Sequence, residues 1–146
     1  TVSDFDPIFI EDAKSRHEDK WKMQYSVINL VEENTDKKYD GIFLCDVFEH
    51  ISPNDEDKFL ENITKSLKGN GSLLIGIPSL ESQELINPED RDPGHVNCKS
   101  GPDLKSKLLE FFDNVFSFSM NDEIVHTGHH KMAHYLFCLC CSPKNK

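Results

Sequence analysis

Histidine is the residue type best suited to proton transfer near neutral pH, and in this sequence it clusters late in the chain. Four of the seven histidines fall within residues 126–134, and another stands in an earlier polar segment. A neutral imidazole can accept a proton from a hydroxyl or an amine, which is general-base chemistry. The candidate general bases are His95, His126, His129 and His130. The alternative is a polar loop whose histidines are only hydrogen-bonded.

The histidine cluster also raises the question of a metal site, since imidazole is a common zinc ligand. The spacing within residues 126–134 matches no established ligand pattern, so we expect no metal. The nearby cysteines do not change this expectation, because strand alternation sends Cys138 and Cys140 to one face and Cys141 to the other. They are better explained as part of an apolar core.

A second set of polar residues stands where predicted strands end. Asp4 follows the first β-branched residues, Asn29 follows an apolar segment, and Asp46 lies near the end of the apolar run 39–47. In an open parallel sheet, ligands bind beyond the carboxyl ends of the strands. The alternatives are plain structural ones: an Asx turn at Asp4, a solvated strand end at Asn29, and a helix-entry turn in which His50 bonds backbone.

Hydrophobic periodicity predicts the elements that must position these residues. Helices are expected near residues 7–17, 55–68 and 102–112, and strands near 1–4, 23–28, 39–47, 72–77, 114–120 and 133–141. The glycines of residues 69–71 predict a left-handed helix end, and the polar segment 79–101 predicts a loop or lid. The order of elements predicts an α/β fold, with a mostly parallel sheet and a C-terminal antiparallel hairpin.

Composition limits the partners. The 146 residues suit one domain, residues 1–146, and the formal charge of −10 argues against nucleic acid or an anionic membrane as partner. No apolar run is long enough for a membrane helix. The five cysteines stand mostly inside apolar runs, which favours reduced thiols and a cytoplasmic location.

Residues 39–79 resemble the second half of a Rossmann-like S-adenosylmethionine-dependent methyltransferase. The resemblance consists of an apolar strand, the turn Asp-Val-Phe-Glu-His at residues 46–50, a helix, the segment Leu-Lys-Gly-Asn-Gly at 67–71, and a second apolar strand that ends at Pro78. Gly-Asn replaces the commoner Pro-Gly in that segment. Residues 94–97, Gly-His-Val-Asn, resemble a stretch that often follows the later strand in this family.

The resemblance implies S-adenosylmethionine as cofactor and gives the strand-end residues their roles. Asp4 is implied to hold the ribose hydroxyls, and Asn29 to contact the adenine amino group. Cys45 and Asp46 are implied to lie beside the methionine part, with Phe48 as an apolar wall. The implied cofactor-binding set is Asp4, Asn29, Leu30, Cys45, Asp46, Phe48 and His50. The histidine-rich stretch is implied to line the acceptor pocket.

The family's first strand and its glycine-rich loop have no counterpart in this sequence. The only Gly-x-Gly, at residues 69–71, follows a predicted helix and not a strand. Without that central strand, the strands ending near Asp4 and Cys45 each lose a neighbour, and their edge N–H and C=O groups lose partners. Direct pairing of the two edges, or a strand from another chain, would restore them. We expect a fragment of a longer protein, which alone binds the cofactor weakly or not at all.

The sequence therefore predicts methyl transfer to a small-molecule acceptor. A methyltransferase-like module without activity, which forms a homodimer through its exposed sheet edges, is the alternative. Another nucleotide-binding Rossmann-like domain is disfavoured, because the sequence has no phosphate-binding loop. The acceptor itself cannot be deduced from a fold-level resemblance.

Overall fold

The computed structural model describes residues 1–16, 22–122 and 124–144. The helices are α1 (Pro7–Ser15), α2 (Glu56–Ser66), α3 (Leu80–Leu85) and α4 (Gly101–Leu109). The strands are β1 (Val2–Asp4), β2 (Tyr25–Val27), β3 (Tyr39–Cys45), β4 (Leu67–Pro78), β5 (Phe112–Asn121), β6 (Ile124–His126) and β7 (Tyr135–Pro143). Short 3-10 turns cover Phe48–His50, Pro88–Asp90 and His130–Met132. No helix in the described ranges is long and apolar enough to cross a membrane.

The strands form two sheets. Among the described residues, the larger sheet has five strands in the order β3-β4-β7-β5-β6, and the smaller has β1 and β2. The pairs β1 with β2 and β3 with β4 are parallel, whereas β7 runs antiparallel to both β4 and β5. The predicted α/β class with a C-terminal antiparallel hairpin is confirmed. The larger sheet, expected to be mostly parallel, is mixed: β3 pairs with β4 in parallel, and its other pairs are antiparallel. The helix expected to reach His17 ends at Ser15, and His17 itself lies outside the described residues.

One face of the larger sheet carries the hydrophobic core. Alternate residues of β4 and β7, including Leu73, Ile75 and Cys140, are fully buried. Side chains of α2 and α4 join them in one cluster, which explains why these two helices have apolar residues at helical spacing. On the opposite face, Phe43 of β3 and Phe116 of β5 remain 67% and 52% exposed. The core is therefore one-sided.

The predicted left-handed helix end at residues 69–71 is wrong. Leu67, which follows α2, already has an extended backbone with φ −91° and ψ 149°, and β4 runs through Gly69, Asn70 and Gly71. None of the described glycines has a positive φ. The reason is tertiary pairing, since Leu67 pairs with Tyr39 of β3 at the start of the strand. Gly71 is needed for close approach instead, because a Cβ there would meet the Tyr39 carbonyl oxygen at 3.0 Å.

Two further segments have more structure than the sequence suggested. The predicted loop 79–101 contains α3, which begins where the Ser79 hydroxyl accepts a hydrogen bond from the Ser82 N–H at 3.0 Å. The histidine-rich stretch contributes β6, which pairs with the end of β5. Both elements are too short, at six and three residues, to show the periodicity from which elements are recognised, so neither was predicted.

A wide cleft separates the two sheets. It has a volume of about 1280 Å³ and is lined on one side by β1 and β2 and on the other by β3. Neither β1 nor β3 pairs with a described strand on the side that faces the cleft. A hydrogen bond between the Tyr39 hydroxyl and Thr1 Oγ1, 3.2 Å long, spans it at the amino ends of the strands. The two open edges expected from the sequence are therefore present, and direct pairing of them is not.

The core predicts a simple contrast within α2. Leu60→Ala should lower the free energy of unfolding by about 2–5 kcal/mol, because Leu60 is fully buried and its truncation leaves a cavity. The exposed Lys58 on the same helix is the control, and Lys58→Ala should change it by less than about 0.5 kcal/mol. Urea unfolding followed by circular dichroism measures both. Equal effects of the two substitutions would contradict this description of the core.

Candidate active site

Most of the residues that were predicted from the sequence to bind a cofactor line the cleft. Those that line it are Asp4, Asn29, Leu30, Cys45, Asp46 and His50. They come from both sheets and follow the carboxyl ends of β1, β2 and β3, as expected for a parallel arrangement. Phe48, expected to be an apolar wall, is instead fully buried in the core and is not among the lining residues.

Asp4 and Asn29 each form an Asx turn. Oδ1 of Asp4 accepts a hydrogen bond from the Asp6 N–H at 2.8 Å, and Oδ1 of Asn29 accepts one from the Val31 N–H at 3.0 Å. The turn foreseen as the plain alternative at Asp4 is therefore formed. This turn uses only part of the acceptor capacity of the Asp4 side chain, because a carboxylate has two oxygens with about four acceptor positions. Asp4 can hold its own backbone and still accept from a ligand in the cleft.

Asp46 adopts a left-handed backbone at the end of β3, with φ 54°. Such a conformation costs a residue with a Cβ roughly 1–2 kcal/mol, although Asp tolerates it better than most. Its N–H is shared between the Gly76 carbonyl and the Tyr135 hydroxyl, each at 3.2 Å. These contacts from β4 and β7 hold the turn, and they aim the chain from β3 into the segment at Phe48–His50.

Tyr135 is a site residue that sequence reasoning missed. It begins β7, 89 positions after Asp46, and no local pattern links the two. The available signal was its register: the first residue of a strand antiparallel to β4 must lie beside the carboxyl end of that strand. Burial, followed by the neighbouring Asp46, raises the pKa of Tyr135 well above its usual range. Burial likewise raises the pKa of Cys45, so both groups remain protonated near neutral pH.

Glu49 is fully buried in the turn that follows Asp46, and neither of its carboxylate oxygens accepts a hydrogen bond from the described residues. Burial raises the pKa of Glu49, and the negative charge of Asp46 adds to that effect. The next residue, His50, is exposed, and its Nδ1 lies 2.9 Å from the Gly94 carbonyl oxygen. An unsatisfied buried carboxyl is costly, so it points to a role beyond packing.

The two motifs that carried the resemblance meet in space. The N–H of Asn97 donates to the Glu49 carbonyl at 2.9 Å, which fastens the segment 94–97 onto the turn at Phe48–His50. The Asn97 side chain is buried and donates to Glu56 Oε2 of α2 at 3.1 Å. As a result the rings of His50 and His95 lie with their centroids 5.0 Å apart. His95, one of the four candidate bases, therefore lies beside a residue of the cleft.

The other three candidate bases lie elsewhere. His129 and His130 line a separate cavity of about 360 Å³ beside α4, and this cavity shares no residue with the cleft. His130 Nδ1 lies 3.2 Å from Glu81 Oε1, and His126 Nδ1 accepts from the Gly128 N–H at 2.8 Å. The structure thus does not bring His126, His129 and His130 to the cleft. The contacts of His126 and His130 match the alternative of hydrogen-bonded histidines in a polar segment, and the His129 ring lies against that of His130.

Comparison with protein families gives the class of this chain. The family model described as a methyltransferase domain matches residues 1–73, which is half of the 146 residues. The chain therefore belongs to the methyltransferase-domain family. The matched part contains β1, β2 and β3 with the strand-end residues of the cleft. No curated protein sequence matches the chain.

Solved methyltransferase structures share the fold. The N-methyltransferase NodS from Bradyrhizobium japonicum, in complex with S-adenosyl-L-homocysteine, has a TM-score of 0.67 and 16% identity over 98% of this chain. An S-adenosylmethionine-dependent methyltransferase from Clostridium acetobutylicum has a TM-score of 0.71 and 14% identity over 95% of this chain. The chain spans 66% of the NodS chain and 73% of the Clostridium chain. The recognised resemblance to this fold is confirmed.

The burial of Glu49 predicts a pH dependence of stability. Because its pKa is raised in the folded chain, the folded state binds this proton more tightly than the unfolded state, whose ordinary pKa is 4.5. Below that value both states are protonated and the group contributes nothing. As the pH rises through the interval up to the folded pKa, the wild-type chain loses up to about 1.4 kcal/mol per pH unit.

Glu49→Gln removes this loss, so the variant should match the wild-type chain near pH 4 and be more stable than it at pH 7. Urea unfolding across that range, in a buffer with a chelator, measures the difference. Glu84→Gln, which removes an exposed carboxylate on α3, is the control for the change in net charge. A Glu49→Gln curve parallel to the wild-type curve would contradict the prediction.

Proposed function

We propose that this chain provides the ribose-binding and methionine-binding part of an S-adenosylmethionine site, in a protein that transfers a methyl group to a small-molecule acceptor. The observation that carries the proposal is the position of Asp4 and Asp46, at strand ends on opposite sides of one cleft, in a chain of the methyltransferase-domain family. Asp4 accepts hydrogen bonds from the ribose hydroxyls. Cys45 and Asp46 border the methionine part.

The size of the cleft supports a cofactor site that is completed by a further strand. Small-molecule pockets usually measure about 300–1,000 Å³, and this cleft, at about 1280 Å³, is larger. It is also bordered by two strand edges that have no partner on that side among the described strands. The proposal therefore places a further strand, with a glycine-rich loop at its end, beside the cofactor. Glycine at such a loop lets backbone approach a ligand closely.

The acceptor in this proposal is a small molecule, since the formal charge of −10 opposes the binding of nucleic acid. The methyl group of the cofactor is already activated by its sulfonium, so the protein contributes mainly alignment and, where needed, removal of a proton. His95 is the candidate base kept here, because it contacts His50 at the cleft. Tyr135 and Cys45 are poor bases, since burial keeps both protonated.

A module that forms a homodimer without catalysis is the second candidate. The observation in its favour is the combination of two open strand edges with exposed Phe43 and Phe116 on the uncovered sheet face. Edges and apolar faces of this kind are typical association surfaces. The two candidates differ in what depends on Asp4: cofactor binding requires it, and association through the edge of β3 does not.

Saturation-transfer NMR with S-adenosylhomocysteine tests the proposal, because it detects the weak binding expected of a site that lacks one strand. The wild-type chain should give a transfer signal and a dissociation constant above the micromolar range. Asp4→Asn keeps an acceptor for the turn but removes the charge, and should weaken binding at least about tenfold, by roughly 1.4 kcal/mol. Asp40→Ala, at the opposite end of β3, should bind like the wild type.

Sedimentation of the same three proteins separates the candidates. A wild-type chain with no transfer signal, together with a dimer that persists in Asp4→Asn, would favour the non-catalytic module. Binding of similar strength in wild type and Asp4→Asn would remove Asp4 from the site. Micromolar binding by the wild-type chain would show that no further strand is needed.

A further inference from the structure

Glu49, His50 and His95 form a cluster of metal-ligand type beside the cleft. Each offers one ligand atom, and these three atoms all lie within 4.8 Å of one another. The three residues come from two separate segments, brought together by the hydrogen bond between the Asn97 N–H and the Glu49 carbonyl. The cluster is distinct from the histidine-rich stretch of residues 126–134, whose spacing matches no established ligand pattern.

The carboxylate of Glu49 is the strongest sign of a missing ligand. Its side chain is 0% exposed, and neither oxygen has a hydrogen-bond donor among the described residues. A buried carboxylate normally ionises only when a cation or several donors compensate its charge. The negative charge of Asp46 disfavours the ionised form of Glu49 further, and the Glu49 backbone N–H and the neighbouring His50 offset the cost of burial only in part, since the pKa of Glu49 remains raised. A cation between Glu49 and the two imidazoles would supply the remaining compensation.

Nδ1 of each imidazole lies beside an oxygen acceptor, which leaves Nε2 as the possible ligand atom. His50 Nδ1 lies 2.9 Å from the Gly94 carbonyl oxygen, and His95 Nδ1 lies 2.9 Å from Gln83 Oε1. Each of these oxygens is an acceptor, so each Nδ1 donates its proton and each Nε2 keeps a lone pair. Metal-binding histidines almost always donate their second ring nitrogen in this way. Nε2 of His95 also lies 3.8 Å from Asp92 Oδ2, which adds negative charge at the cluster.

We propose that Glu49, His50 and His95 bind one divalent transition-metal ion, with zinc as the natural probe. Two imidazoles and one carboxylate suit zinc and related ions, and do not suit magnesium or calcium, which prefer oxygen ligands alone. Three protein ligands leave a fourth position for water or for an oxygen of a bound molecule. Because His50 also lines the cleft, this position is near the proposed cofactor site. Nε2 of His95 cannot accept a proton while it binds the metal, so under this proposal His95 is a ligand and not the base.

The fit requires only a small contraction. Ligands of tetrahedral zinc at about 2.0–2.1 Å from the metal lie about 3.4 Å from one another. The present separations, up to 4.8 Å, are wider than this, so metal binding requires the three side chains to move closer together.

A thiol site is the main rival explanation for zinc binding by this chain. Cys98 lies close enough to Glu49 to sense its charge, and burial with that charge raises the pKa of Cys98 to about 11. Cys98 is not among the three residues whose ligand atoms lie within 4.8 Å of one another, so the proposed site does not include it. A Cys98→Ser variant distinguishes the two cases.

The test uses the full chain without a polyhistidine tag, stripped with a chelator and then titrated with zinc against a competing chelator dye. The wild-type chain should bind one zinc ion per chain. Glu49→Gln and His95→Gln should each weaken zinc binding at least about tenfold, since even the partners of ligands are worth 10–100-fold. Cobalt substitution should give the visible absorption of a tetrahedral site in the wild-type chain, and that absorption should be lost in both variants.

Two controls keep the result unambiguous. His134→Gln and Cys98→Ser should both bind zinc like the wild type, since the His134 imidazole accepts from the Asp122 N–H and is not part of the three-residue cluster. Circular dichroism should show that every variant is folded. The proposal is overturned if the wild-type chain binds no zinc at a 1:1 ratio. It is equally overturned if Glu49→Gln binds as tightly as wild type, or if Cys98→Ser alone abolishes binding. None of these readouts depends on S-adenosylmethionine, so the proposed methyl transfer can fail while the metal site stands.

Discussion

The carboxylate of Glu56 joins three parts of the chain on which the site depends. It belongs to α2, accepts a hydrogen bond from Asn97 at 3.1 Å, and pairs with Lys99 at 2.8 Å and with Lys107 of α4 at 3.3 Å. Burial opposes its ionisation, but the hydrogen bonds from Lys99, Asn97 and Lys107 hold the pKa of Glu56 below its usual value. Buried ion pairs of this type add little net stability, but removing one partner is costly.

The contacts of Glu56 determine where the segment 94–99 lies. The segment 94–99 has no strand or helix of its own between Pro88–Asp90 and α4, so its place is set by what it touches. Glu56 anchors it through Asn97 and Lys99, and the Asn97 N–H then reaches the Glu49 carbonyl. The approach of His95 to His50, and with it the cluster at Glu49, follows from this anchoring.

The sequence was most informative where one segment determines its own structure. The apolar spacing in α2 and the apolar runs of β3 and β4 each carry a local signal, and the parallel order placed Asp4 and Asp46 at one edge. The sequence was least informative where contacts between distant segments determine the structure. His50 and Gly94 are 44 positions apart, and Asp46 and Tyr135 are 89 apart. The glycines at 69–71 were misread for the same reason, since pairing with β3 overrides local turn preference.

The uncovered face of the larger sheet sets a condition on how this chain behaves among its own copies. Self-association is favoured by the exposed Phe43 and Phe116 and by the free edge of β3. A formal charge of −10 opposes it, because identical molecules repel one another. That repulsion reaches only about 8 Å at physiological ionic strength and less in concentrated salt. Protonation of the carboxylates weakens it further. Whether copies of this chain associate or stay apart in solution therefore depends on salt concentration and pH more than on any specific contact.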